Sequence, residues 1–570
     1  MLRQHDDRWL HLTNPTGIIE TDRADDVMST IAAVEHAARS TDCYAVGFVA
    51  YEAGAAFDLR TQTPVNGLPL VWFALFELRT ASVLNAPFAN DAIGSFRVGA
   101  LEPSIDRERF MAAFTRIRAH LAAGDCYQAN YTFSLGAAFA GDARALFVAL
   151  CDAQRGRYAA FLNTGTRAIC SASPELFFAR EGGLVTARPM KGTAPRGLTA
   201  DDDLRQRDAL VASAKERAEN VMIVDMVRND LGRIAELGSV EVPQLFIAEK
   251  YPTLWQMTSL VQARSSASLP DLFAAMHPCA SITGAPKART LEILAGLEAG
   301  PRGVYTGALG FVAPDGNARF SVAIRTAVVD HESGRLTFGI GSGIVWDSDG
   351  PSEYEECLLK AAILNHPSPA FELLETMRWD PDAGFLVLDR HLARLSASAG
   401  YFDFAYDEPH VRAALDEAVR GGRARRRIRL LLSRTGRVRV EKVDWQRALD
   451  PARVGLAKVP VHSRTVWLFH KTTHRSLYEE RRRVDMDETL LWNERGEVTE
   501  ATTANLVALI GGRRLTPPVE AGLLPGTYRA ELLASGAIEE ASIAVADLGR
   551  AERLWLINSV QEWREATLID

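Results

Sequence analysis

The sequence predicts an α+β unit followed by a separate α/β unit, and three observations predict it. The 570 residues are too many for one small domain and suit two large or three to four ordinary ones. The helical period Tyr354, Leu358, Leu359, Ala362, Ile363 stops at Asn365-His366-Pro367-Ser368-Pro369, where closely spaced prolines cannot continue a helix. Ahead of that break, β-rich runs alternate with long helical stretches, and no repeat or low-complexity segment interrupts them. The expected division is 1–365, a linker at 366–370, and 371–570.

In the first unit, strands are expected at Ala45–Tyr51, Leu70–Phe76, Arg167–Ala172, Ala308–Val312, Ser321–Val329 and Arg335–Ile340. Helices are expected at Asp106–Ala123, Asp202–Leu237 and Pro286–Gly296. The second unit opens with an alternating run and a helix at His391–Ser398, then turns β-rich over Arg427–Val443.

With 47% hydrophobic and 24% charged residues, the chain can bury a sizeable core. Lys+Arg 64 against Asp+Glu 72 gives a net −8, which argues against a general polyanion binder and favours small-molecule chemistry. None of the six cysteines forms a C-x-x-C pair, so neither a disulfide framework nor a thiolate zinc site is indicated. Met1–Trp9 lacks an apolar signal core, and no apolar run approaches a membrane span, so a cytoplasmic enzyme without membrane contact is expected.

Lys191 sits in Thr186-Ala187-Arg188-Pro189-Met190-Lys191-Gly192-Thr193-Ala194-Pro195-Arg196, where prolines and glycine exclude a regular helix; it reads as a nucleophile or as a surface cation. Ser173-Pro174-Glu175 ends an apolar strand, a position where general acids are commonly placed. Glu219 precedes an apolar helical stretch. Ser352 and Glu355 have capping-box spacing, which leaves Glu353, Glu356 and Lys360 on one helix face. Two carboxylates from different helices would suit an octahedral Mg²⁺. Gly339-Ile340-Gly341-Ser342-Gly343 reads either as a run of backbone N–H groups gathered on an anion or as a hairpin turn. Without a Walker A sequence, nucleotide binding has no support.

The strings Gly124-Asp125-Cys126-Tyr127-Gln128-Ala129-Asn130, Pro189-Met190-Lys191-Gly192-Thr193, Arg217–Gly232, Ser281-Ile282-Thr283-Gly284-Ala285-Pro286-Lys287, Gly303-Val304-Tyr305-Thr306-Gly307 and Gly341–Lys360 resemble the chorismate-utilising enzymes, closest to the aminodeoxychorismate synthase component I branch. The likeness covers roughly residues 100–365, and residues 1–100 match that family's N-terminal lobe loosely and carry no assigned task. It implies a two-lobed β-sandwich with helices. It also implies that Lys191 is a covalent nucleophile, Glu175 an acid/base at the ring hydroxyl, and Glu219 and Glu356 the Mg²⁺ ligands. Gln128 stands where water-using relatives place a lysine base, which favours ammonia over water. Thr283, Gly284, Tyr305, Arg325, Gly341, Gly343 and Lys360 would line the chorismate pocket. Arg325 alternates with apolar neighbours in Phe320–Thr326, and its guanidinium could grip a carboxylate or form a structural ion pair.

In the second unit, Val466-Trp467-Leu468-Phe469-His470-Lys471 is a strand-like run ending in lysine, which reads as a cofactor lysine or a strand-end cation. His470 and His474 are discounted as zinc ligands, since the run is not helical and no Glu accompanies them. Glu500 lies in an expected short polar turn, Gly496–Leu506. Gly522-Leu523-Leu524-Pro525-Gly526-Thr527-Tyr528-Arg529 leads into a helix whose N-terminus suits phosphate. Lysine, acid and phosphate cradle are the three parts a pyridoxal 5'-phosphate (PLP) enzyme needs.

With Phe371–Met377 and His391–Leu395, these strings resemble fold-type IV PLP enzymes over nearly all of residues 370–570. The resemblance implies an α/β fold-type IV domain with Lys471 as the Schiff-base lysine and Glu500 as the pyridinium partner. Arg394 with the Gly526-Thr527-Tyr528 amides would clamp the phosphate, and Ser559 is a further clamp candidate. Branched-chain transaminases place a tyrosine five after the lysine; here that residue is Ser476, and Tyr478 is the nearby substitute.

The two resemblances together imply amination of chorismate to 4-amino-4-deoxychorismate, then PLP-dependent loss of pyruvate to give 4-aminobenzoate for folate biosynthesis. The alternative is a chorismate aminase fused to a branched-chain or D-amino-acid type aminotransferase. No glutaminase sequence is present, so ammonia is expected from a separate glutamine amidotransferase subunit, and a homodimer through the PLP domain is a further expectation. The arginine-rich stretch Arg420–Arg439 raises nucleic acid as a rival partner. Its interleaved Ile428 and Leu430–Leu432, without aromatic platforms, read instead as a half-buried strand.

Overall fold

The computed structural model of the chain describes residues 1–3, 8–89, 91–364 and 369–569. Most of the expected boundary, residues 365–368, lies outside the described residues. The chain divides into two compact units, Met1–Pro195 with Arg207–Ser368 and Arg196–Gln206 with Pro369–Asp570. The segment Arg196–Gln206 therefore belongs to the second unit, although its place in the chain puts it well inside the stretch expected to be the first.

The first unit contains an eleven-stranded and a ten-stranded sheet among the described residues. Alternation along the strand Cys43–Val49 shows how they stack. Ala45 and Val49 face the helices Val27–Ser40 and Leu269–Met276, where Ile31, Val34, Leu272 and Phe273 are buried. Val46 and Phe48 face the opposite way, onto Leu10, Leu162 and Ile169 of the other sheet. That sheet in turn packs Tyr131, Phe133 and Phe338 against Phe110, Phe114 and Ile117 of the helix Arg107–Ala122. The layers run helix, sheet, sheet, helix, which is the sandwich with helices that the family resemblance implies.

Two expected elements are broken. Asp202–Leu237 is two helices, Ala200–Ala212 and Ala214–Gly232, because Ser213 caps the second by accepting from the Glu216 N–H. Ser321–Val329 is also two elements, Ala318–Val322 in the ten-stranded sheet and Thr326–Asp330 in the eleven-stranded sheet. Arg325 lies in the crossover between them at φ 52°. It is not an alternating strand residue, because the chain is changing sheets there.

The second unit is α/β. A four-stranded sheet built on Leu373–Asp380 and Arg426–Leu432 packs Met377, Ile428 and Leu430 against the helices Leu388–Phe402 and Glu408–Val419. An eight-stranded sheet of mixed direction completes it, with Ala452–Leu456 parallel to both Glu488–Trp492 and Glu562–Leu568. No helix among the described residues is long and apolar enough to cross a membrane.

Candidate active sites

Lys191 is carried by the strand Met190–Pro195, whose pairing with Leu254–Arg264 slips between Met190 and Thr193. Gly192 takes φ 98° at that bulge. The backbone is fixed there by Asn220 Nδ2 donating to the Lys191 carbonyl (3.0 Å) and Gln256 Nε2 donating to the Gly192 carbonyl (2.8 Å). The ammonium lies 3.7 Å from Glu219 Oε2 on the helix Ala214–Gly232.

Glu175 is buried and accepts from Ser281 Oγ at 2.6 Å. Burial pushes its carboxyl up to about 7, against the pull of Ser281, the Met190 N–H and Lys191. At neutral pH this side chain can hold a proton and give it up, as a general acid requires. Gln128 is fully buried with both amide atoms unpartnered, so the site holds an unused donor and an unused acceptor.

The glycine run forms neither a turn nor an N–H cradle. It continues the strand Arg335–Ile344, with Gly341 opposite Thr132 and Gly343 opposite Asn130, and none of its glycines has a positive φ. They are there for want of a side chain. A Cβ on Gly339 would meet the Tyr305 ring at 2.1 Å, and one on Gly341 would meet Thr132 Cγ2 at 2.7 Å. On Gly343 it would stand 2.6 Å from Lys191 Nζ and 3.0 Å from Gln128 Nε2. Gly284, at φ 151°, likewise lets its backbone lie against the Gln128 carbonyl. Thr283 spends its hydroxyl on the Cys279 and Ala280 carbonyls, while its own carbonyl accepts from the Asn130 N–H.

The expected capping box also differs: Asp349 caps the helix Gly350–Ala361, and its carboxylate takes up the Ser352 N–H and hydroxyl. Glu353 instead accepts from Ser342 Oγ in the glycine run. Lys360 bridges Glu356 Oε1 (2.8 Å) and the Gly341 carbonyl (2.9 Å). Arg325 donates to the Lys360 carbonyl at 3.1 Å. Although burial opposes it, Lys360, Lys191 and Arg325 together hold the Glu356 carboxyl below its ordinary range. Among the described residues no cluster of three or more His, Cys, Asp or Glu is placed to hold a metal. Glu219 and Glu356 supply two carboxylates from different helices that share the Lys191 ammonium field, a donor set that fits Mg²⁺ completing its shell with water and substrate oxygens.

Sequence reasoning missed the support beneath this site. Arg302, buried and paired with Glu298 at 2.7 Å, donates to the Ile282 carbonyl (2.9 Å) and the Asn130 carbonyl (2.8 Å). Glu298 Oε1 accepts the Thr132 N–H and hydroxyl. One ion pair thus ties together the segments that carry Gln128, Thr283 and Tyr305. The signal available was the Glu298/Arg302 spacing beside the Gly303–Gly307 string.

In the second unit a cavity of about 480 Å³ opens between the two sheets, and Lys471, Glu500, Arg394, Gly526, Thr527, Tyr528 and Ser559 all line it. Lys471 does not end a strand: Val466–Leu468 is a single 3₁₀ turn, and Lys471 follows in an extended stretch whose carbonyl accepts from the Leu374 N–H. Burial lowers its ammonium to about 8, helped by Arg394 and Arg475. Glu500 lies on the strand Val498–Ala501, not in a turn, and accepts from Tyr478 Oη (2.8 Å) and the Leu524 N–H (3.1 Å). Burial raises it to about 7.

Gly526 caps the helix Thr527–Ala534, and a Cβ there would strike Asn505 Oδ1 at 1.9 Å. Arg394 reaches this turn through the Pro525 carbonyl (3.0 Å), but its other contacts go to Glu375, at 2.9 and 2.7 Å. Ser559 Oγ donates to the Thr376 carbonyl at 3.0 Å. Arg427, Arg429, Arg475 and Arg564 also line the cavity, so part of the arginine-rich stretch borders it. A buried lysine of lowered pKa, a buried acid and a glycine-capped helix end in one cavity fit PLP.

Comparison with known proteins follows this division. The chorismate binding enzyme family model matches residues 3–366, and the amino-transferase class IV model matches residues 372–569. Aminodeoxychorismate synthase component 1 of Klebsiella aerogenes is 40% identical over 269 residues, 47% of this chain and 59% of that protein. The protein of the same name from Salmonella typhimurium is 35% identical over 347 residues, 57% of this chain and 76% of its own length. Anthranilate synthase component I of Streptococcus pneumoniae, as a solved structure, covers 63% of this chain and 92% of its own at 23% identity and a TM-score of 0.54, a likeness of fold.

Proposed function

We propose, for a chain that belongs to the chorismate binding enzyme family and carries a class IV aminotransferase domain, a bifunctional enzyme that aminates chorismate and then releases 4-aminobenzoate. The observation that carries the first half is the convergence of Lys191 Nζ and the unpartnered Gln128 amide on Gly343. Lys191, once it has given a proton to solvent and become the neutral amine, attacks ring C2 while the C4–O bond breaks and Glu175 gives its proton to the departing hydroxyl, which leaves as water. Ammonia then forms the new bond at C4, the C2–N bond breaks, and Lys191 is regenerated. Gln128 offers the ring and the incoming nitrogen one acceptor and one donor. Glu219 and Glu356 would hold Mg²⁺, which supplies charge neutralisation at the ring carboxylate. Ammonia comes from a separate glutamine amidotransferase, consistent with the component 1 naming of the relatives.

In the second half PLP, when bound, supplies an electron sink for breaking bonds next to the substrate amine. Glu500 would keep the ring nitrogen protonated, and Lys471 would hold the carbonyl end and carry the proton that pyruvate loss requires. The basic wall of Arg427, Arg429, Arg475 and Arg564 favours a substrate with two carboxylates over an apolar amino acid, which supports the lyase reading over a branched-chain transaminase. A cytoplasmic location and a homodimer through this domain belong to the same reading. The test is purified protein with chorismate, ammonium, Mg²⁺ and PLP. Equal yields of pyruvate and 4-aminobenzoate without a keto-acid acceptor are expected; amino exchange that depends on a keto acid refutes the lyase assignment.

A further inference from the structure

His391 is fully buried on the helix Leu388–Phe402, and its two ring nitrogens face different partners. Nδ1 lies 2.6 Å from Glu375 Oε2, and Nε2 lies 3.1 Å from Thr527 Oγ1, in the turn beside the Lys471 cavity. Arg394 grips the same carboxylate at 2.9 and 2.7 Å. Against the upward push of burial, Arg394 and His391 pull Glu375 down to about 2, so it is ionised and only accepts. Nδ1 therefore carries a hydrogen in every state of the ring. With a neutral imidazole Nε2 is a bare acceptor, and the Thr527 hydroxyl must donate to it, spending its single hydrogen. A phosphate dianion also only accepts. It cannot receive a hydrogen bond from Thr527 until Nε2 itself carries a hydrogen.

We propose that His391 is a positioning residue that takes up a proton when a phosphate ester binds at the Gly526–Thr527 turn, an inference that rests on reading this cavity as the PLP site. The bound state is a continuous chain: Glu375 carboxylate, Nδ1–H, Nε2–H donating to Thr527 Oγ1, and the Thr527 hydroxyl donating to a phosphate oxygen. The proton comes from solvent, and no other bond forms or breaks. The charges that act on the ring are Glu375 on the strand Leu373–Asp380, which favours the imidazolium, and Arg394 and Lys471, which together with burial disfavour it. Their balance leaves His391 below its ordinary pKa in the phosphate-free protein. The dianion, one hydroxyl away, supplies the missing negative charge.

The test is calorimetric titration of the full-length apoprotein with pyridoxine 5'-phosphate, which lacks the aldehyde and cannot bond to Lys471. Runs at pH 7.5 in two buffers of unlike ionisation heat count the protons taken up. The wild type should take up about one proton more than His391→Gln, whose amide is a permanent donor at the Nε2 position, and its affinity should weaken as pH rises while that of the variant does so less. Thr527→Val, which keeps the side-chain shape but cuts the chain at its hydroxyl, should lose the same proton. Equal uptake in the wild type and in either variant overturns the proposal. Failure of the wild type to bind pyridoxine 5'-phosphate at all overturns the cofactor reading and the proposal with it, whereas binding without the proton difference overturns the proposal alone.

Discussion

Replacing Gly343 with alanine probes the first site with a single methyl group. That carbon would stand 2.6 Å from Lys191 Nζ and 3.0 Å from Gln128 Nε2. Ordinary contact needs roughly 3.5 Å, so the lysine nitrogen must retreat by about 1 Å. Both obstructing atoms end flexible side chains, and Gly343 is not at a positive φ, so the strand accepts alanine. Stability should change by less than about 1 kcal/mol. The chemistry should not be spared, since a reacting atom misplaced by about 1 Å costs on the order of 100-fold in rate. That equals about 2.7 kcal/mol of barrier. The assay follows chorismate consumption with saturating ammonium and Mg²⁺, with conversion of supplied aminodeoxychorismate as an internal control. Amination should fall by about two orders of magnitude while the control and the melting temperature hold. Amination within about threefold of wild type would show that Lys191 is not the group that reacts.

Other expectations follow from the same geometry. Glu175 must carry its proton to act, so with a carboxyl at about 7 the kcat/KM for amination should decline as pH rises through neutrality. Glu175→Gln should cost about 10² to 10⁴-fold, and an unchanged alkaline limb in wild type would remove Glu175 from the acid role. Lys471→Ala should abolish the visible absorbance of bound PLP and 4-aminobenzoate formation while the amino intermediate accumulates at the normal rate; continued aminobenzoate release would contradict the assignment. Arg302→Met leaves Glu298 buried and unpaired and should cost about 3–5 kcal/mol in urea unfolding. A loss below about 1 kcal/mol would mean that the ion pair is dispensable.

What was legible in the chain and what was not has a physical pattern. The strings around Lys191, Glu175, Lys471 and Glu500 were legible through the family resemblance, but the local elements of the last two were not: Lys471 follows a 3₁₀ turn and Glu500 lies on a strand. The glycine run could not be read correctly, because spacing does not tell whether a glycine serves a positive φ or an absent Cβ; here the Tyr305 ring and Lys191 Nζ, from remote segments, decide. Arg325 looked like a strand residue because its apolar neighbours do alternate, yet they alternate toward two different sheets. Ser213 was readable in principle, since Glu216 three residues on completes its cap. Glu375 and His391 lie in strings that carry the resemblance, yet no role could be read for them, because their pairing with each other and with Thr527, 136 residues beyond the histidine, is made only by the fold.

The segment Arg196–Gln206 has a practical consequence for anyone dissecting this polypeptide. Its Gly197 carbonyl accepts from Tyr401 Oη at 2.8 Å, Arg196 donates to the Tyr401 carbonyl at 2.9 Å, and Leu198 joins the apolar cluster of Leu468, Phe469 and Tyr478. Scission at the proline-rich junction would strand those residues on the wrong fragment, exposing Phe469 and Leu468, two and three positions before Lys471. The two catalytic halves share a covalent thread that a single cut does not separate.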